Sequence, residues 1–242
     1  MHGRNPVRPL DRTDGTTLDV FEIFRTIQGE GPFIGCPATF VRLWGCHLHC
    51  TFCDTDFESV NTRRTLSSLL AELAHGPELV VFTGGEPLRQ NIYPICAGLL
   101  AVGKKVQIET AGSFGLGYFT PPNHDSLFLD PNFSVVVSPK VPFVDEEIAA
   151  HAIAWKYIIS DSYQLDPVDG LPVTNTQTDG GTARPLARPP STRKLSRSQI
   201  WVQPMDEQNP YRNQLNTERC VALAYLYGYR VSLQLHKILG VP

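Results

Sequence analysis

The chain has 242 residues, 42% of them hydrophobic, and a formal net charge of −3 at pH 7. These values fit one globular domain with a large core, and the slight negative charge argues against electrostatic binding of nucleic acid. No apolar run reaches the roughly 18 residues that a membrane helix needs, and residues 1–15 lack the apolar segment of a secretory signal. We therefore expect a cytoplasmic protein that binds neither membrane nor nucleic acid.

Predicted strands and helices alternate along most of the chain. Residues 1–18 are expected to form a flexible arm, and residues 19–242 a single domain. Apolar or β-branched runs predict strands at 38–44, 79–83, 105–109, 134–138, 155–159 and 199–203, and helical periodicity predicts helices at 65–75, 90–102 and 209–227. Such alternation forms right-handed crossovers. The sequence thus predicts an α/β fold, a partial (β/α)6 barrel with an open parallel sheet, outer helices and ligands at the carboxyl ends of its strands.

Residues 164–198 interrupt this alternation. They are rich in Pro, Gly, Thr and Ser, and they end in the basic run ARPLARPPSTRKLSR. A structureless loop of this length is uncommon inside a compact domain. A mobile lid, a partner-docking segment and a disordered excursion all stay open as interpretations. The composition favours disorder or an ordered surface excursion over a lid.

A cluster of three cysteines follows the first predicted strand, in the sequence GCHLHCTFCDT. The cysteines are Cys46, Cys50 and Cys53. Thiolates are soft ligands that select zinc, copper(I) or iron–sulfur clusters. Three thiolates leave one position open, whereas a structural Cys3His zinc site would recruit His47 or His49 as its fourth ligand. Cysteines without ligand spacing are expected to be small buried apolar residues; they are Cys36, Cys96 and Cys220.

The second predicted strand ends in Gly84-Gly85-Glu86-Pro87. Glycines at a strand end let the backbone approach a ligand closely, although Gly-Gly also marks an ordinary turn. In this order and spacing, the cysteine loop and the Gly-Gly-Glu-Pro motif resemble the radical S-adenosylmethionine (SAM) superfamily. The resemblance implies that Cys46, Cys50 and Cys53 hold a 4Fe-4S cluster and that SAM chelates its fourth iron.

Polar side chains also follow the later strands, in the sequences IETAGS, VVVSPK and IWVQPMD. Each can be strand-terminating turn chemistry, but together they predict a polar ring around one mouth of the barrel. The superfamily resemblance implies SAM contacts from the cysteine loop, the glycine motif and this ring. The implied residues are Phe52, Gly85, Glu86, Ser113, Ser138, Pro139, Lys140, Gln203, Pro204, Met205 and Asp206.

The segment FRTIQGEGPFIGCPATFVRLWGC closely resembles the start of the 7-carboxy-7-deazaguanine synthase family. The resemblance implies that Arg42 binds a substrate carboxylate and that Thr55 ligates Mg2+. Arg42 could instead pair with Glu22 or Glu30, and Thr55 could simply cap a turn. The remaining substrate contacts implied by the resemblance come from Ile27, Gln28, Gly29, Thr83, His236 and the terminal Pro242.

The family resemblance implies a lyase that converts 6-carboxy-5,6,7,8-tetrahydropterin to 7-carboxy-7-deazaguanine with loss of ammonia, in queuosine and 7-deazapurine biosynthesis. It also implies a homodimer and an external electron donor of the flavodoxin or ferredoxin type. No side chain needs to act as a nucleophile, because a radical generated from SAM starts the chemistry. Two other classes stay open: a radical SAM activase acting on a partner protein, and a structural zinc-binding module.

Overall fold

One sheet organises the part of the chain that the computed structural model describes, which is residues 5–53, 55–56, 61–118, 125–177, 185–191 and 196–242. Its nine strands are β1 Thr17–Ile27, β2 Pro37–Leu43, β3 Thr62–Thr65, β4 Leu79–Gly84, β5 Lys105–Thr110, β6 Phe133–Val137, β7 Ala154–Ile159, β8 Ile200–Pro204 and β9 Arg230–Val231. Their order across the sheet is β3-β1-β2-β4-β5-β6-β7-β8-β9.

The α-helices of the described residues are α1 Leu66–Ala74, α2 Tyr93–Ala101, α3 Asp125–Leu129, α4 Glu146–His151, α5 Pro210–Tyr227 and α6 Leu235–Leu239. Local sequence sets their ends. The hydroxyl of Thr65 accepts a hydrogen bond from the Ser68 amide at 3.2 Å and caps α1. Asn209 caps α5 through the Arg212 amide at 3.1 Å, and Gly228, with φ of +74°, ends that helix in the left-handed conformation.

The predicted α/β fold with an open parallel sheet is confirmed. Strands β2, β4, β5, β6, β7 and β8 pair in parallel, and each differs from its predicted bounds by at most one residue at either end. Strand β1 runs antiparallel to β2, and β3 runs antiparallel to β1. The sequence did not predict β1, β3 or β9, nor the short helices α3, α4 and α6.

Helix α2 begins three residues later than predicted. The side chain of Gln90 accepts from the Asp19 amide at 2.8 Å and donates to the Asp19 carbonyl at 2.9 Å, in the manner of a neighbouring strand. The backbone of Gln90 is extended. Helix α2 begins at Tyr93 and has Pro94 in its first turn, where proline is favoured. Gln90, which was predicted to be helical, therefore hydrogen-bonds to the first part of β1 through its side chain instead.

Alternate side chains of the parallel strands divide between two faces of the sheet. One set, which includes Val41, Phe82 and Tyr157, is fully buried in a large apolar core. Helices contribute to the same core, for example through Leu69 of α1 and Leu99 of α2. The opposite set points to the concave side, where a cavity lies. Its members there include Phe40, Arg42, Thr83, Glu109, Lys156, Ile158 and Gln203.

The N-terminal residues that the structure describes pack on the domain, in contrast to the flexible arm expected for residues 1–18. The Arg8 amide donates to the Cys46 carbonyl at 2.7 Å, and the Asp11 amide donates to the Arg89 carbonyl at 2.8 Å. The expected boundary also falls inside β1, where Leu18 is 1% exposed. Residues 1–4 lie outside the described part. Among the described residues, none of the helices combines the length and apolar character needed to cross a bilayer.

The cysteines outside the cluster differ in burial. Cys96 and Cys220 are fully buried in the apolar core, as predicted. Burial raises the pKa of the Cys220 thiol to about 12, so it stays protonated at neutral pH. Cys36 is only half-buried and packs at the edge of a smaller cluster around Ala38 and Val81. These positions suit structural residues and not ligands of one metal centre.

Candidate active site

A cavity of about 370 Å3 opens at the carboxyl ends of the parallel strands. Its walls come from the cysteine loop after β2, the Gly-Gly-Glu-Pro turn after β4, the segments after β6 and β8, and the C-terminal helix α6. Parallel strands bring segments that are distant in the sequence to one edge of the sheet. Both sequence motifs therefore meet at one site, as the alternation of strands and helices predicted.

The cysteine loop and the glycine motif touch through their backbones. The Glu86 amide donates to the Gly45 carbonyl at 3.1 Å, and the Gly85 amide donates to the Leu43 carbonyl at 3.1 Å. A Cβ atom added to Gly85 would lie 1.9 Å from the Gly45 oxygen. Only glycine therefore allows this approach, which fixes the position of Cys46 relative to the end of β4.

The three clustered cysteines line the same cavity: Cys46, Cys50 and Cys53. Burial, with the nearby charge of Glu86, raises the pKa of the Cys46 thiol far above its usual value, so ligation of a metal must displace its proton. No group of three His, Cys, Asp or Glu side chains in the described ranges surrounds a single-ion position. In a 4Fe-4S cluster each thiolate binds a different iron, so the donor set of three lining thiolates fits a cluster with one open iron.

His47 contacts Ser113 and Phe114. Its Nε2 is 2.6 Å from the hydroxyl of Ser113, and its ring packs against Phe114 with the centroids 4.3 Å apart. Burial lowers the pKa of His47 to about 4, which keeps the ring neutral at physiological pH. The hydrogen bond to Ser113 occupies Nε2, whereas Nδ1 is buried and has no hydrogen-bond partner among the described residues. The backbone amide of His49 donates to the side chain of Gln177 at 2.8 Å.

Glu86 is a buried carboxylate that organises the strand ends. Its Oε1 accepts hydrogen bonds from the Leu88 amide at 3.0 Å and from the Thr110 hydroxyl at 2.5 Å, and its Oε2 accepts from the Ala111 amide at 2.9 Å. Burial raises its pKa, and these hydrogen bonds oppose that shift. The carboxylate thereby fastens the end of β5 to the Gly-Gly-Glu-Pro turn beside the cavity.

A buried polar network forms the other end of the cavity. The carboxylate of Glu30 forms an ion pair with Lys156 and accepts hydrogen bonds from Gln203 at 2.9 Å and Gln234 at 3.1 Å. Burial disfavours its charge, but the ammonium of Lys156 and the two amides outweigh burial and hold the pKa of Glu30 well below its usual value. Lys156 and Gln234 were not among the site residues predicted from the sequence. The alternation in AWKYII does place Lys156 on the face opposite the buried Trp155 and Tyr157.

Arg42 lines the cavity and is paired within the protein. Its guanidinium donates to Glu22 at 2.6 Å and lies over the ring of Phe24, 5.3 Å from the centroid. The pairing with Glu22 that the sequence left open is therefore present. Both side chains are partly exposed, 30% for Arg42 and 41% for Glu22. An exposed pair of this kind contributes only about 0–1 kcal/mol, so an incoming carboxylate can compete for Arg42.

The C-terminal segment closes one side of the cavity. The Leu235 amide donates to the Gly29 carbonyl at 3.0 Å, and a Cβ atom on Gly29 would lie 2.1 Å from Nδ1 of His236. Gly29 therefore gives His236 room to approach the turn. The hydroxyl of Thr26 donates to the main-chain oxygen of Pro242 at 2.5 Å, which places this residue at the cavity. Burial lowers the pKa of His236.

The cavity collects the site residues predicted from the sequence, with three exceptions. Gly29 lies behind His236, and Ser113 lies behind His47, where its hydroxyl orients that ring. Pro139 is buried between two lining residues, Ser138 and Lys140. The cavity also includes Asn5, whose side-chain amide donates to the Thr55 carbonyl at 2.6 Å and to the sulfur of Cys53 at 3.7 Å. An N-terminal residue at this position carried no signal in the sequence.

Comparison with known proteins identifies the family of this chain. No protein-family model matches the chain. A 7-carboxy-7-deazaguanine synthase from Rhodospirillum rubrum is 41% identical and covers 100% of both chains. One from Rickettsia prowazekii is 36% identical and covers 100% of this chain and 96% of its own. The crystal structure of QueE from Escherichia coli matches with a TM-score of 0.62 and 25% identity, over 90% of this chain and 94% of that chain. The resemblance inferred from the sequence is confirmed, and the chain belongs to the 7-carboxy-7-deazaguanine synthase family.

Proposed function

We propose that this protein is a radical SAM lyase that converts 6-carboxy-5,6,7,8-tetrahydropterin to 7-carboxy-7-deazaguanine with loss of ammonia, in queuosine and 7-deazapurine biosynthesis. The observation that carries the proposal is a single cavity with three thiolates on its wall and Gln28, Arg42, His236 and Pro242 also lining it. Full-length relatives at 41% and 36% identity have this activity in their names. A small-molecule substrate suits the volume of about 370 Å3.

The family implies two cofactors, a 4Fe-4S cluster and SAM. Cys46, Cys50 and Cys53 would hold the cluster, and the backbone around Gly85 with the polar residues after β6 and β8 would hold SAM. When bound, these cofactors supply the 5′-deoxyadenosyl radical that takes the hydrogen at C6 of the substrate. The protein's own residues orient the two molecules and exclude water.

The pterin would bind at the polar end of the cavity. Arg42 would exchange Glu22 for the substrate carboxylate, which a guanidinium binds through two parallel hydrogen bonds. Gln28 offers both a donor and an acceptor to a pterin edge, and its Nε2 already donates to Glu109 at 2.9 Å. Thr83, Ile27, His236 and the terminal carboxylate of Pro242 complete the contacts, with Gly29 giving His236 its room.

We assign Mg2+ to the hydroxyl of Thr55, which lines the cavity two residues after Cys53. A hard cation prefers oxygen ligands and keeps several waters, so a single protein hydroxyl with substrate oxygens is a suitable set. We further propose a homodimer, as implied by the sequence resemblance, and a flavodoxin- or ferredoxin-type electron donor. The cytoplasm, where thiols stay reduced, suits the cysteine ligands. The chain from β1 onward, with the N-terminal residues that pack on it, would form one radical SAM domain with an insertion at 164–198.

Anaerobic turnover tests the function directly. Enzyme with a reconstituted cluster is mixed with 6-carboxy-5,6,7,8-tetrahydropterin, SAM and dithionite, and the products are identified by mass spectrometry. We expect 7-carboxy-7-deazaguanine and ammonia, which together contain all the atoms of the substrate. Cleavage of SAM without conversion of the pterin would point to the activase alternative. A colourless preparation that contains zinc would point to the structural module.

A further inference from the structure

The first part of the inserted segment is anchored to the body of the protein. The guanidinium of Arg188 pairs with Asp169 at 2.6 Å and donates to the carbonyl oxygens of Leu171 and Pro172, both at 3.2 Å. Tyr229 donates to the Asp169 carbonyl at 2.7 Å. Leu171 is 1% exposed and belongs to the apolar core. These contacts fix the turn that places residues 176 and 177 against the cysteine loop.

Residues 176 and 177 then pair with the cysteine loop. Cys50 and Gln177 form an antiparallel β-bridge, and the Thr51 amide donates to the Thr176 carbonyl at 3.0 Å. The side chain of Gln177 accepts from the His49 amide at 2.8 Å. On its other side, the Thr176 amide donates to the Lys140 carbonyl at 3.1 Å. The segment is therefore clamped between the cysteine loop and the turn after β6.

Two side-chain donors of this segment reach one sulfur. The hydroxyl of Thr176 lies 3.1 Å from Sγ of Cys50, and Nε2 of Gln177 lies 3.4 Å from it. The two hydrogens of Nε2 suffice for this sulfur and for the Thr176 oxygen at 3.1 Å. The Lys140 carbonyl is a second acceptor within reach of the Thr176 hydroxyl, at 3.2 Å, but a charged thiolate is the stronger acceptor for its single O–H. Thr176 is 5% exposed, so water competes little for these bonds.

We propose that Thr176 and Gln177 are positioning residues for the iron–sulfur cluster, which hold the loop that carries Cys50 and set the reduction potential of the cluster through hydrogen bonds to its sulfur. This inference rests on the proposed function, because Cys50 must be a ligand. One-electron reduction adds negative charge to the cluster and its thiolates. Donors at the sulfur stabilise the reduced state more than the oxidised state, so they raise the potential.

Thr176→Val tests the proposal, because valine keeps the shape of threonine and removes the O–H donor. Cluster-loaded enzyme is prepared anaerobically, and the midpoint potential is measured by redox titration followed by electron paramagnetic resonance. Thr176→Val should shift the potential to a more negative value, whereas Thr176→Ser should restore it. Gln177→Glu removes the N–H donor and adds negative charge, so it should make the potential more negative than Thr176→Val does. Thr174→Val, the same change at an exposed position of the segment, is the matched control and should leave it unchanged.

The rate at which a chelator removes iron gives a second readout that does not depend on turnover. Faster loss in Thr176→Val than in Thr176→Ser or Thr174→Val would support the proposal, even if the valine variant retains too little cluster for titration. Equal loss in all three variants, or an unchanged potential and rate in Thr176→Val, would overturn it. Wild-type enzyme that binds no cluster would contradict the proposed function and this inference together, whereas cluster-loaded wild type with unshifted variants contradicts the inference alone.

Discussion

Replacement of Lys156 by methionine tests whether the buried network at the substrate end holds the fold as well as the cavity. Methionine preserves most of the side-chain length and removes the ammonium that pairs with Glu30. The side chains of Lys156 and Glu30 are only 8% and 14% exposed. In the variant the carboxylate would keep two amide donors, Gln203 and Gln234, but no countercharge.

Removal of one partner of a buried ion pair costs about 3–5 kcal/mol, because the remaining charge stays desolvated. We therefore expect Lys156→Met to lower the free energy of unfolding at pH 7 by about that amount. The matched control is Lys105→Met, whose pair with Glu78 spans 3.2 Å and has side chains 44% and 65% exposed. An exposed pair contributes about 0–1 kcal/mol, so the control should stay close to wild type.

The difference in the free energy of unfolding between wild type and Lys156→Met should depend on pH. The pKa of Glu30 is lowered in the folded protein, so its charge stabilises the fold fully above the ordinary value of 4.5 and less as the pH falls towards the folded pKa. The gap between wild type and Lys156→Met should therefore shrink below pH 4.5. Urea unfolding followed by circular dichroism measures it. A Lys156→Met variant that is no less stable at pH 7 than Lys105→Met would refute a stabilising role for the buried ion pair.

Three further predictions concern the proposed site. Alanine at Cys46, Cys50 or Cys53 should abolish the visible iron–sulfur absorbance and SAM cleavage, whereas alanine at Cys36, Cys96 or Cys220 should keep both; loss of absorbance in the second group would contradict the ligand assignment. Thr55→Ala should lower the magnesium dependence of turnover at unchanged iron content, and Thr55→Ser should stay close to wild type. If Thr55→Ala keeps the same magnesium dependence as Thr55→Ser, Thr55 is only a turn residue. A C-terminal tag displaces the carboxylate that Pro242 brings to the cavity, so it should raise the substrate KM strongly. Proteolytic removal of the tag should restore the KM, and an unchanged KM with the tag in place would refute the contact.

The parallel strands could be predicted because burial on both faces gives them continuous apolar runs, such as LVVF in β4. Strand β1 escaped prediction because it carries charged side chains whose partners lie elsewhere in the chain. Asp19 pairs with Arg63 at 2.9 Å, and Glu22 pairs with Arg42 at 2.6 Å. Such pairing follows from the register of β1 with β3 and β2, which local sequence does not contain.

The cysteine loop and the Gly-Gly-Glu-Pro motif allowed one end of the cavity to be predicted. The residues of each motif are contiguous in the sequence, and their spacing indicates cluster and SAM binding. The polar network at the other end could not be read in the same way. Glu30 follows β1, Lys156 belongs to β7 and Gln234 precedes α6, so only the tertiary fold brings the three together. Each alone resembles an ordinary polar residue at the end of an element.

The inserted segment shows what composition leaves open, because the same content is compatible with disorder and with an ordered surface excursion. The Pro, Gly, Thr and Ser content of residues 164–198 disfavours a regular helix or strand. Composition describes only this local propensity. Order in residues 164–177 comes from elsewhere: an arginine at 188, a tyrosine at 229 and the cysteine loop at 49–51 supply the partners. Long-range hydrogen bonds can therefore fix an irregular segment beside a reactive centre, where a polar composition is an advantage. Hydroxyl and amide side chains can donate hydrogen bonds to a thiolate, whereas apolar side chains have no donor.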